Sequence, residues 1–109
     1  MSDKISSVLH DATISVVTVD WARAVVTVRL TLCDDGTPEA ELVVTGFTDV
    51  QLPRREPWGP SVSVNEATVS TDPLLGKQLH LQLQSGDILR VEAASIAFIR
   101  SDRPGAVVL

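Results

Sequence analysis

The chain has 109 residues, 44% of them hydrophobic and 21% charged, with nine Lys and Arg against fourteen Asp and Glu for a formal net charge of -5. That is the size of one domain, able to bury a single core without staples, and its acidity argues against a surface made for phosphate backbones or anionic membranes. A single cysteine, Cys33, excludes an internal disulfide and a four-thiolate zinc site, and no apolar stretch approaches the roughly 18 residues of a membrane-spanning helix.

Met1 to Ser7 carry an early acid, Asp3, and no long apolar core, which is not the pattern of a signal peptide. A soluble, cytoplasmic protein is expected. Residues 1–10 read as an N-terminal extension. Ser2 or Asp3 could cap a single helical turn through Ile5, Val8 and Leu9, but ten residues are marginal for a helix without tertiary support, so irregular chain is the equal alternative.

Thr13 to Asp20 is rich in β-branched residues, and its apolar phase slips between Val16 and Val17, so either both faces are covered or a bulge re-phases the strand. Asp20-Trp21-Ala22-Arg23 is a short hairpin link. Val26, Val28, Leu30 and Leu32 then alternate with Val25, Thr27, Arg29 and Thr31, the period-two signature of a half-buried strand. Asp34-Asp35-Gly36-Thr37-Pro38 is a turn. Glu41 to Leu52 is a third run, in which Gly46 marks a bulge or a close backbone approach. Pro53, Pro57 and Pro60 keep the next stretch out of any internal strand. Val62, Val64 and Val69 mark a fourth run and Leu79, Leu81 and Leu83 a fifth, the latter with Gln78, His80, Gln82 and Gln84 opposite. Ser85-Gly86-Asp87 forces an antiparallel hairpin into a sixth run, Ile88 to Ile99, with a break expected near Ala94-Ser95. After Pro104-Gly105 the tail, 103–109, docks on the domain, docks on another copy, or frays. No internal repeat is visible. The expectation is a single all-β domain over 1–109, with six mainly antiparallel strands in a small barrel or sandwich.

Candidate chemistry is sparse. His10-Asp11 invites a general-base reading, but adjacent residues on a strand point to opposite faces, which favours a turn-capping Asp11 and a packed His10. His10, His80 and Cys33 show no metal-ligand spacing, so no metal and no cofactor is expected. Cys33 reads as a small buried hydrophobe. Asp34, Asp35, Glu39, Glu41 and Asp49 form an acidic stretch, read as a solvated hairpin or as a patch for a basic partner. The densest segment runs from Leu52 to Glu66. There Arg54, Arg55 and Trp58 are hot-spot residue types held between prolines, and Ser61, Ser63 and Asn65 project from one strand face. Against that, Trp58 could fold back as a lid on the core, with Arg54 or Arg55 paired to Glu56 or Glu66. Phosphate loops and nucleophile elbows are absent, and nucleic acid binding lacks both basic stripe and aromatic platform.

Leu9-His10-Asp11-Ala12, a strand ending in Asp20-Trp21, Pro57-Trp58-Gly59-Pro60-Ser61-Val62-Ser63 and Gln82-Leu83-Gln84-Ser85-Gly86-Asp87 together resemble a group of small uncharacterised bacterial all-β proteins. Some similar proteins that open with a His-Asp pair are grouped with immunity proteins of polymorphic toxin systems. The likeness covers most of the chain. It implies a bacterial cytosolic domain that neutralises a partner protein, and it assigns no catalytic residue. The expected function is therefore a non-enzymatic protein-binding module, with Arg54, Arg55, Trp58, Ser61, Ser63, His10 and Asp11 as binding residues. The alternatives are a small-molecule binder or enzyme whose pocket is a barrel mouth gathering His10, Asp11, Trp58 and Glu66, and a structural homodimer.

Overall fold

The structure, a computed structural model, describes residues 8–32, 38–55, 63–74, 76–102 and 105–109. Its strands are β1 (Thr13–Asp20), β2 (Val25–Thr31), β3 (Glu39–Gln51), β4 (Val64–Asp72), β5 (Gly76–Leu83), β6 (Ile88–Arg100) and β7 (Ala106–Val108). All pair antiparallel in one sheet of order β1-β2-β3-β6-β5-β4, with β7 beside β6. The all-β expectation holds. The strand count rises from six to seven because the tail docks on its own domain, with Phe98 opposite Val107 and Leu109 packed against the core.

The sheet does not close into a barrel. Among the described residues, its end strands meet at one isolated bridge, Thr13 to Ser63. Just ahead of β1 the Asp11 N–H donates to the Val64 carbonyl and the Val64 N–H to the Ala12 carbonyl, both at 2.8 Å. Val8 and Leu9 have helical backbone; any longer N-terminal helix lies outside the described residues.

Alternation builds the core. Val26, Val28 and Leu30 of β2, Leu42 and Val44 of β3, and Leu79 and Leu81 of β5 are buried, while Arg29, Glu41 and His80 face outward. Each such aliphatic side chain contributes about 1.5–3 kcal/mol by leaving water. A one-residue slip would expose the whole set, so burial fixes the register.

The two longest strands are irregular mid-length. In β3 the irregularity begins at Gly46, whose φ is +72°. The Gly46 and Phe47 N–H groups both donate to the Ala24 carbonyl, at 2.7 and 3.2 Å, and the register shifts between Phe47 and Asp49. The break expected in the sixth run is instead a change of burial phase within a continuous β6: Leu89, Val91 and Ala93 are buried, then Ala94 and Ser95 are both exposed, then Ile96 and Phe98 are buried. In β1 the irregularity is a bulge between Ile14 and Val16, slightly ahead of the apparent phase slip.

An internal repeat is present after all. The sheet consists of two meanders, β1-β2-β3 and β4-β5-β6, joined edge to edge along β3 and β6. The residues that meet where the meanders touch are fifty apart: Thr13 with Ser63, and Thr45 with Ser95. The first-strand bulges, Ile14/Val16 and Val64/Glu66, have the same spacing. Thr18-Val19 recurs as Thr68-Val69. The halves are thus related by an approximate two-fold axis between β3 and β6.

Candidate functional site

His10 and Asp11 sit in a turn, not on a strand, and Asp11 has a φ of 65°. That local geometry overturns the expectation that their side chains diverge. The His10 Nε2 lies 3.6 Å from Asp11 Oδ2, with the two side chains 56% and 48% exposed. His10 Nδ1 is 2.8 Å from the Asn65 carbonyl oxygen. A carbonyl only accepts, so Nδ1 carries the proton in this contact. Gln84 Nε2 donates to Asp11 Oδ1 at 2.7 Å. The pair thereby fastens the entry to β1 onto β4 and the β5–β6 hairpin. Asn65 also donates toward Gln82 Oε1, at 3.5 Å, which extends the polar seam.

Ser63 belongs to the same seam. It forms the bridge to Thr13, and its carbonyl accepts the Gln84 N–H at 2.9 Å. Both contacts are made by its backbone. Trp58 and Ser61 lie outside the described residues, as do Cys33, Asp34, Asp35 and Glu56.

Arg54 and Arg55 end the described part of the β3–β4 connection. Asp87, only 9% exposed, pins it: its Oδ2 accepts the Arg55 backbone N–H at 2.9 Å, while its own N–H reaches Ser85 Oγ at 3.3 Å. Two adjoining cavities flank this anchor and share Leu52, Pro53 and Asp87. One is an open polar groove of about 500 Å³ bordered by Gln51, Arg55 and Arg90. The other is an apolar slot of about 280 Å³ between the start of β1 and the β5–β6 hairpin, bordered by Arg54. Among the described residues, no ion pair involves the side chains of Arg54, Arg55 or Arg90.

A third recess, of about 190 Å³, lies beside Arg29, Glu39 and Glu41 at the opposite end of β3. There Arg29 Nη2 meets Glu41 Oε2 at 3.1 Å, so that part of the acidic stretch is already neutralised by the chain itself. His10, Asp11 and Glu66 line none of these three cavities, and Trp58, the fourth member of the barrel-mouth constellation, lies outside the described residues. Among the described residues, no three His, Cys, Asp or Glu side chains are grouped to hold a metal ion.

Two exposed residues were not singled out by the sequence reading, Arg90 at the groove and Trp21 away from the three cavities. Only the β3–β6 register, which sets Arg90 opposite Gln51, brings it to the groove. Trp21 is 81% exposed in the β1–β2 turn, its ring edge-on to Phe47 at 5.7 Å. An aromatic inside a tight turn was the available signal.

No family model matches the chain. No curated protein and no solved structure is significantly similar to it either. The cavities and their charges therefore have to carry the functional reading.

Proposed function

We propose that the protein is a non-enzymatic protein-binding module of the immunity type, which occludes a partner protein by seating an acidic segment of it in the Arg55–Arg90 groove. One observation carries this reading. In a chain of net charge -5, Arg54, Arg55 and Arg90 gather around adjoining cavities, and among the described residues none is neutralised by a carboxylate. Arginine forks match carboxylates in pairs of parallel hydrogen bonds and are enriched at binding hot spots. The Asp87 anchor holds the loop in place beforehand, which lowers the ordering cost of binding.

Of the two surfaces expected to meet a partner, the Arg54–Arg55 loop and the acidic hairpin, this reading uses the first. The decisive comparison immobilises wild type and an Arg55→Glu/Arg90→Glu double variant and passes host lysate over both at low and moderate salt. A stoichiometric protein retained by wild type, released by salt and bound at least tenfold more weakly by the variant is expected. Equal retention by both, or no retained protein, would overturn the proposal. Both arginines are exposed, so circular dichroism should show the variant folded.

A further inference from the structure

The apolar slot is chemically unlike the groove beside it. Its walls are Ile14 and Val17 of β1, Leu52 and Pro53 of the connection, Leu83 of β5 and Leu89 of β6. All four strand residues belong to the core or pack against it, so the slot is a mouth of the core opening to the surface. The approximate two-fold axis relates it to the region beside the start of β4. There Leu9 and Ala12 are fully buried, and the Asp11 N–H and the Ala12 carbonyl pair with Val64.

At about 280 Å³ the slot falls just below the roughly 300–1,000 Å³ usual for ligand pockets. Apolar cavities of this kind favour aliphatic or aromatic matter over water. The polar features of the rim are few and specific. Arg54 borders the slot and has no ion-pair partner among the described residues. Ser85 Oγ accepts the Asp87 N–H, which leaves its hydroxyl proton to donate. Ser15 is no rival donor, because its hydroxyl already donates to the Arg29 carbonyl at 3.2 Å. The Asp87 carboxylate also borders the slot, but its Oδ2 is turned to the Arg55 N–H.

We infer that the slot is a binding site for a free aliphatic monocarboxylate, with its chain among Ile14, Val17, Leu83 and Leu89 and its head on Arg54 and the Ser85 hydroxyl. The match is one of charge as well as shape: Arg54 and one free donor stand at the mouth of an apolar hole, beside an Asp87 carboxylate that accepts the Arg55 N–H. The site adjoins the partner-binding groove, and Arg54 also enters that reading, but the test of the slot involves no partner protein.

The probe is octanoate, titrated into methyl-labelled full-length protein at physiological ionic strength and followed by NMR. Shift changes should centre on the methyl groups of Ile14, Val17, Leu83 and Leu89. From butanoate upward, affinity should rise about threefold to fourfold per methylene until the slot is full. Octylammonium is the control. The overall charge of -5 favours the cation, so a preference of tenfold or more for octanoate has to come from the local cation at the rim. Arg54→Gln, a change at an exposed side chain, should erase that preference and keep the dependence on chain length. Absence of shifts at those methyl groups, octylammonium binding as well as octanoate, or a preference unchanged in Arg54→Gln would each overturn the inference.

Discussion

Replacing Gly76 by alanine tests the close approach of β5 to β6 at a single atom. Gly76 follows the turn that joins β4 to β5 and has a φ of +83°. A Cβ there would stand 2.7 Å from the carbonyl oxygen of Ala93, a backbone atom of β6 that cannot swing aside. Two costs add. Placing an L-residue in the left-handed region costs roughly 1–2 kcal/mol, and forcing a methyl into an occupied space typically costs about 1–3 kcal/mol. The expected loss is therefore about 2–5 kcal/mol, which in a domain of this size lowers Tm by about 8–20 °C. Gly86→Ala is the matched control. Its φ is also positive, +100°, but a Cβ there meets nothing within 4 Å, so only the conformational cost of roughly 1–2 kcal/mol remains. Urea denaturation followed by circular dichroism measures both variants. Equal destabilisation of the two would refute the steric argument, and so would a Gly76→Ala variant within about 0.5 kcal/mol of wild type.

The seam and the loop anchor make further predictions. Asp11→Asn keeps a side chain that tolerates positive φ but removes the charge facing His10 and Gln84; a loss of about 1 kcal/mol is expected, and Asp11→Ala should cost more because of its φ of 65°. If urea midpoints for both variants match wild type, the seam contributes nothing. Asp87→Ala leaves the Arg55 N–H without its acceptor and should cost about 1–3 kcal/mol. It should also speed tryptic cleavage after Arg54 and Arg55; an unchanged cleavage rate would mean that Asp87 does not hold the loop.

How much of this was legible in the sequence depended on which signal each element gives. β2 and β5 were plain because one sheet face is buried and alternation has no other cause there. The irregularity in β1 was visible as a phase slip, but a bulge absorbs the slip ahead of the place where the side-chain pattern shows it. The phase change in β6 looked like a break because Ala94 and Ser95 both face solvent, although the strand runs on through them. β7 has only three residues and its partner lies in another strand, so nothing local announces it. The His10–Asp11 contact was missed because strand geometry was assumed for a turn. The two-fold repeat was hidden because backbone pairing needs few particular side chains, and only Thr18-Val19 against Thr68-Val69 is repeated outright in the two first strands. Of the site, Arg54 and Arg55 could be named from composition, whereas Arg90 required the strand order.

The near-symmetry of the two meanders bears on how copies of this chain can combine. Each half completes its sheet by pairing β3 with β6, and the order of the sheet does not depend on whether those strands belong to one polypeptide. A molecule opened along that seam therefore finds, in a second opened molecule, a partner for each of its halves. The exchanged dimer would keep the same registers and the same core, and would differ from two monomers mainly in the path of the connection after Arg55. Because that exchange is bimolecular, it is governed by protein concentration and favoured by conditions that loosen β3 from β6. Storage at high concentration near the unfolding transition is where swapped dimers should accumulate.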